Sequence, residues 1–557
     1  MAGCGVDRTT GAPLATEAKR GLVRIASNYT RLLATLTFGI VLVPLLAHWL
    51  GADALGLFLF LIAQAGLAAI FQDVMRTSLI RELAAGWHEE RDFAGTAAAA
   101  SLVCGATALL AVAAFAVLWA IIPLLNIQSE AFVDAARWML VFECGFTVIN
   151  ILLAPAVNLY VVREWFVQQN VWTGVRRADF LISVLICRAI MPDINTDADI
   201  ATGLITFVAI AVGYRTIVVA ASATVMMIRE PRVIPRPWRA TRAGVRAIVG
   251  TFGWNTSTIL ATNLHDRGGA FIMNIFFGLP GNVVFGLATR LVSYIRMVTI
   301  GMTFGLDAVG ARLTAKENND AAFSGMITNT TRLHAMVAIP AAICAAVLAE
   351  PLLRLWLGRS LENPAPLENP AHYIDMSALL VQIMAIGLAA RAISDCWVYL
   401  LYGAGHIRRY AKIIVFGGIL DPLLAVALVF ALGALGHEDV VPWTAKSGPA
   451  WAMSLTFIVF HGVLVPMRGA RILNVRWRVF FKPLVGPAAL AGVLSPLLFV
   501  PQWIWAGAPK DWSLLDLAGA VVLYGAAYVL LGGMLLLSHE ERHRIRGAIG
   551  RYSGLAR

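Results

Sequence analysis

Charge is scarce in this chain. Only 14% of its 557 residues are charged, 59% are hydrophobic and the mean hydropathy is +0.74, a balance that no water-soluble globular chain of this length carries. Cysteine is sparse too. Cys104, Cys144, Cys187, Cys344 and Cys396 fall in apolar runs and Cys4 in the polar amino-terminal tail. That placement excludes metal-site spacing and a disulfide framework, and Cys4 lacks the preceding hydrophobic stretch of a lipoprotein cysteine. There is no phosphate-binding glycine loop, zinc-type His/Glu spacing or nucleophile elbow. An enzyme is therefore disfavoured, and neither a metal nor a cofactor is expected. Residues 1–24 mix Arg8, Glu17, Lys19, Arg20 and Arg24 without an apolar core, so the first span is expected to act as its own signal anchor.

What is present is a series of long apolar runs. At about 20 residues per span, fourteen helices are expected, over residues 27–50, 55–75, 96–122, 138–162, 175–191, 200–228, 247–278, 283–306, 333–350, 376–402, 412–434, 447–466, 483–501 and 514–538. The fold class is an all-α polytopic membrane protein. The net charge of +11 could suggest nucleic acid, but its distribution gives a better account. Of the 44 Lys and Arg, 32 fall on the amino-terminal side of the alternating loops, 5 on the other side and 7 within spans. By the positive-inside bias both termini are cytoplasmic. The loop 229–246, with six arginines and three prolines, reads first as a topology determinant and secondarily as a site for anionic lipid headgroups. Trp49, Trp87, Trp172, Trp356, Trp503 and Trp512 lie near span ends, where they are expected to anchor at the headgroup layer.

A weak repeat divides the spans. Gly51-Ala-Asp-Ala-Leu-Gly56-Leu57 recurs as Gly281-Asn-Val-Val-Phe-Gly286-Leu287, 230 residues on, and Pro123-Leu-Leu recurs as Pro351-Leu-Leu, 228 residues on. Six spans separate the copies, which predicts two six-helix lobes related by a pseudo-two-fold axis along the membrane normal, with two further carboxy-terminal helices. The expected organisation is a cytoplasmic tail (1–24), a first lobe (25–228), an arginine-rich cytoplasmic linker (229–246), a second lobe (247–466), spans 13 and 14 (467–538) and a basic cytoplasmic tail (539–557). In transporters built this way the substrate sits between the lobes near the midplane.

The seven arginines within spans are Arg31, Arg188, Arg215, Arg267, Arg290, Arg296 and Arg391. A charge at the centre of a spanning helix costs roughly 2.5–3.5 kcal/mol on insertion scales, so such arginines usually face a water-filled cavity or a charged partner. Arg215 and Arg391 are too deep for easy snorkelling, which favours a cavity-facing role over a structural ion pair; Asp395, four residues past Arg391, offers that residue the alternative. Arg290 and Tyr294 share a helix face suited to a phosphate or a sugar ring, and Arg296 follows. Arg31 and Arg188 are expected to snorkel to opposite surfaces. Asp266-Arg267, after His265, interrupts a seventh span rich in hydroxyls and amides, which should line the cavity. Among the acids Asp73, Glu143, Asp179, Asp266, Asp395 and Asp421, Glu143 has no cation within a turn and is the best candidate for proton or cation coupling, with Asp266 a second.

The segments Leu50-Gly51-Ala52 through Gly56-Leu57-Phe58, the Asp266-Arg267 break, Phe285-Gly-Leu-Ala-Thr-Arg290-Leu, Leu355-Trp356-Leu357-Gly358 and Tyr402-Gly403-Ala404-Gly405 follow in an order and spacing that resembles Wzx-type polysaccharide flippases. These belong to the multidrug/oligosaccharidyl-lipid/polysaccharide (MOP) exporter superfamily, and the similarity covers about residues 22–466. The resemblance implies a monomeric bacterial inner-membrane transporter that moves an undecaprenyl-pyrophosphate-linked oligosaccharide from the cytoplasmic to the periplasmic leaflet, for O-antigen, capsule or exopolysaccharide. It implies a cationic lumen, here Arg215, Arg267, Arg290 and Arg391 with Arg31 and Arg296, whose guanidinium groups would hold the pyrophosphate. It also implies membrane lipids, a polysaccharide polymerase and a chain-length regulator as partners. The nearest rivals are a lipid II flippase and a multidrug or cation antiporter of the same superfamily. The antiporter would want a carboxylate in the first span, which has none. A facilitator of the other common two-lobe fold would need a Gly-x-x-x-Asp-Arg-like loop after the second span. A membrane-embedded glycosyltransferase or ligase would need catalytic acids in an external loop; the longest one, 351–375, offers Arg354, Arg359, Glu362, Glu368, His372 and Asp375.

Overall fold

Apolar runs long enough to cross a bilayer satisfy their backbone groups only as helices or closed barrels, and this chain takes the helical solution. The computed structural model describes residues 12–68, 70–88, 92–127, 129–192, 194, 196–303, 306, 309–310, 313, 320–361, 370–435, 441–501, 512–539 and 541–543. Within them, the side chains of Arg31, Asp73, Arg359 and residues 251–255 lie outside the described set, as do Glu362, Glu368 and Trp503 altogether. Among the described residues every regular element is a helix, and eleven are long and apolar enough to cross a membrane. The chain is a multi-pass membrane protein.

The difference between eleven and the fourteen expected has a local cause in each case. The first two expected spans share one helical stretch, Ala12–Ala68, broken only at Gly51 (φ 82°), and the seventh and eighth share Arg242–Ile300, broken at Gly278 (φ 64°). Positive φ at these joints is accessible to glycine at little cost. The fifth expected span, 175–191, is a helix only over Asp179–Ile190, too short to cross alone, and follows a separate short helix, Phe166–Arg176. Two spans start on reciprocal caps: Thr196 with Asp199 before Asp197–Arg229, and Ser513 with Asp516 before Leu514–Leu535, each satisfying amide donors that the first helical turn leaves open.

Contacts divide the chain into two compact units. The first comprises 1–45, 68–120 and 134–253; the second comprises 46–67, 121–133 and 254–557. The second unit thus takes in two segments that the repeat assigned to the first lobe. The core of the first unit gathers Leu79, Leu83, Phe93, Cys104, Tyr160 and Met226. That of the second is built around Trp397, Tyr410 and Phe480. Burial grades the helices: the span Ala371–Gly403 is 78% buried, whereas Arg478–Phe499 is 22% and Leu514–Leu535 17%, so the two added carboxy-terminal helices present most of their apolar surface outward, as lipid requires. Trp49, expected at the headgroup layer, is only 5% exposed and packs in the interior, because the Gly51 joint follows directly.

The two glycines of the repeat meet at one helix crossing. A Cβ on Gly56 would sit 2.6 Å from the Leu279 carbonyl oxygen, and one on Gly286 would sit 2.8 Å from the Leu59 side chain. Small residues let membrane helices approach this closely. Gly56→Ala is expected to cost about 1–3 kcal/mol through overpacking, read as a lower melting temperature of the purified protein. Gly105→Ala, where the added methyl meets nothing within 4 Å, should leave it unchanged or raise it. Equal melting of the two variants would contradict the crossing.

Candidate functional site

In the first unit, Arg215 projects from the middle of Asp197–Arg229 into a pair of acids. Its guanidinium forms an ion pair with Glu143 of Glu130–Leu152 and lies 3.0 Å from the carboxylate of Asp179, the first residue of Asp179–Ile190. The rings of Phe146 and Phe180 flank it at 4.7 and 5.1 Å. Glu143 has no cation within a turn of its own helix, and the fold supplies one 72 residues on. Of the two roles weighed for Arg215, the ion pair is the one observed. Two carboxylates share this guanidinium, and Arg177 adds a further positive charge near Asp179. Arg188 is exposed on the outer side of its helix, and the Arg31 side chain lies outside the described residues.

The second unit holds a longer polar chain. Arg391 is 4% exposed and bonds His461 Nδ1 at 2.6 Å, with Asp395 at 3.8 Å. The i, i+4 pair expected from the sequence is present, yet Asp395 has a nearer partner: Arg296 donates to it through Nε at 2.8 Å, and its Nη1 lies 3.6 Å from Asp266. Two arginines are thereby matched by two carboxylates. His461 lies in a π-helical turn, Phe457–Leu464, a departure from α geometry that recurs at functional sites. Beside it His265 stacks on Phe457 at 4.1 Å and meets the Thr456 hydroxyl at 2.9 Å, which in turn donates to Asp421 at 2.9 Å. The sequence showed His265 only as a neighbour of Asp266, and His461, Thr456 and their link to Asp421 carried no local signal.

Arg267 donates to the carbonyls of Ile62 and Ala63 at 3.4 and 3.2 Å. With Asp266, Phe60, Asn282 and Thr289 it lines a cavity of about 40 Å³, and both polar atoms of the buried Asn282 amide have no partner among the described residues. Arg290 stands apart from these pairs. It is half-buried, and its guanidinium has neither an acid nor a hydrogen-bond partner among the described residues; one turn on, the buried Tyr294 hydroxyl also has none. Buried polar groups are nearly always satisfied, so the Tyr294 hydroxyl calls for a partner, and the part-exposed Arg290 guanidinium on the same face adds further donors. That face suits an anion with several acceptor oxygens. In the stretch 351–375, expected to be external, Ala349–Leu361 is helical, and Arg354 is held by Glu350 and Asp375 at 2.9 and 2.8 Å.

No family model matches the chain, and no curated protein matches it. Solved structures do. The chain is similar to a lipid II flippase, MurJ, in an inward closed conformation, at 12% identity over 93% of this chain and 100% of that one, with a TM-score of 0.65. It is similar to an inward-facing multidrug resistance MATE family transporter of the MOP superfamily, at 12% identity, 81% and 98% coverage and a TM-score of 0.58. A MOP superfamily transporter from Pyrococcus furiosus, whose binding pocket is described as of reversed polarity, is similar at 11% identity, 81% and 95% coverage and a TM-score of 0.56. What is shared at these identities is the fold.

Removing one partner of a buried ion pair leaves an uncompensated charge and costs about 3–5 kcal/mol. Arg215→Ala, which strands Glu143 and Asp179 together, is therefore expected to lower the melting temperature and the abundance of the protein. The triple variant with Glu143→Gln and Asp179→Asn should recover much of the loss. Wild-type melting of Arg215→Ala would rule out a structural ion pair.

Proposed function

We propose that this chain is a MOP-superfamily flippase that carries an undecaprenyl-pyrophosphate-linked oligosaccharide from the cytoplasmic to the periplasmic leaflet of a bacterial inner membrane, for O-antigen or exopolysaccharide synthesis. The observation that carries the reading is that the Arg290 guanidinium and the Tyr294 hydroxyl, on one helix face, have no partner among the described residues. A pyrophosphate presents acceptor oxygens in the geometry of the guanidinium fork, and the tyrosine offers a donor and a ring to the first sugar. The fold shared with flippases and drug transporters supports alternating access as the mode of transport. Arg267 extends the same cationic lumen. Arg215, Arg296 and Arg391, being held by acids and a histidine, would meet the substrate only as those pairs exchange, and Arg31 completes the proposed set at the cytoplasmic end. The polyprenyl tail stays in lipid.

For coupling we assign Glu143, which with Asp179 shares the Arg215 guanidinium and so could exchange a proton as that pairing changes, and Asp266 as the second acid. A polymerase and a chain-length regulator would act on the product. A lipid II flippase is the second reading, favoured by the match to MurJ over 93% of this chain and the whole of the other. The polymer that fails on depletion separates the two: surface polysaccharide for the first reading, cell-wall peptidoglycan for the second.

Arg290→Ala is expected to abolish surface polysaccharide with the protein's abundance unchanged, and Arg290→Lys to restore it in part because charge is kept and the fork is lost. Normal polymer from Arg290→Ala would contradict the proposal. Arg354→Ala, on an arginine already occupied by two acids, should leave polymer essentially normal; its loss would favour the ligase.

A further inference from the structure

The linker between Asp197–Arg229 and Arg242–Ile300 is built in two halves. The first half is pinned. Arg229 stacks over Trp165 at 5.2 Å, while Arg232 lies 5.1 Å from the Trp87 ring and 5.3 Å from that of Phe93 and pairs with Glu230 at 2.5 Å. Val233, fully buried, belongs to the core of the first unit. The second half is displayed. A proline-led turn, Pro237–Arg239, holds out Trp238 at 78% exposure, next to an exposed Ile234. Arg236, Arg239, Arg242 and Arg246 surround it, and none of these four side chains has a hydrogen bond or ion pair among the described residues. From Pro231 to Arg246 the sequence contains no acid.

We infer that this displayed half is a binding site for the headgroup of an anionic phospholipid. Its place in the fold supplies the membrane. One candidate span ends at Arg229 and the next long apolar helix begins at Arg242, so the turn and the basic first turns of that helix, 242–246, lie where a chain emerges from the bilayer. Its chemistry supplies the rest. Four unpaired guanidinium groups call for phosphodiester charge, which attracts basic juxtamembrane segments. A soluble polyanion would account for the arginines but leave Trp238 and Ile234 without a partner; both favour the boundary between headgroups and acyl chains. Setting topology needs only positive charge. It does not need an exposed tryptophan fixed among the arginines by a proline turn.

The test is amide hydrogen exchange of the full-length protein in nanodiscs, where both membrane faces are open and insertion topology plays no part. Moving from phosphatidylcholine to phosphatidylglycerol nanodiscs should slow exchange across residues 234–246 by about tenfold or more. The Arg236→Gln/Arg239→Gln/Arg242→Gln variant should lose that difference, the corresponding Lys variant should keep part of it, and Trp238→Ala should reduce it. Equal exchange of the wild type in the two lipids would overturn the proposal. So would the same slowing in phosphatidylcholine nanodiscs on adding inorganic pyrophosphate or RNA, which would make this a site for soluble anions.

Discussion

A guanidinium inside a membrane must either be neutralised by the protein or be neutralised by what the protein carries, since hydrocarbon offers it nothing. That constraint orders the arginines here. Arg215 is enclosed by Glu143 and Asp179, and Arg296 and Arg391 are tied through Asp395, Asp266 and His461. Apart from the pairing of Arg391 with Asp395, which lies within one helix, these pairings join separate helices, so the charges that cost most to bury also fix which helices are neighbours within a unit. Arg290 falls outside the pattern, half-buried with no acid partner among the described residues, and it is there that the proposed ligand would bind.

The helices can approach closely enough for these pairs because of small residues at their crossings. Gly56 and Gly286 let the segments after the Gly51 and Gly278 joints pack against one another, and Gly418 sits with its would-be Cβ 2.4 Å from the Ala261 carbonyl oxygen. The polar chain from Asp421 through Thr456 to His265 lies along the same helices. Close backbone approach brings short side chains into contact, and the π-helical turn at Phe457–Leu464 then places His461 against Arg391.

Hydropathy made the fold class legible, because apolar runs of spanning length admit few structures. The span count was less so. At Gly51 and at Gly278 two helices meet with one glycine out of helical geometry between them, so the expected boundary between spans is present as a kink and not as a loop. Arg391 and Asp395 were legible as a pair because four residues on a helix is a contact distance. The bond from Arg296 to Asp395, 99 residues apart, and that from Arg215 to Glu143 were not, since tertiary partners leave no trace in spacing. For the same reason Glu143 read as an acid without a cation. Arg290 and Tyr294 were legible as one face through helical periodicity. That neither has a partner is a fact of three-dimensional packing.

The central claim is that Arg290 and Tyr294 complete their bonding with a pyrophosphate. Its most direct test is native mass spectrometry of the detergent-purified full-length protein, titrated with undecaprenyl pyrophosphate and with undecaprenyl monophosphate. The account predicts tighter binding of the pyrophosphate by the wild type and loss of that preference in Arg290→Ala, with the monophosphate affected less. Equal affinity of the wild type for the two lipids, or a preference that survives Arg290→Ala, would contradict it.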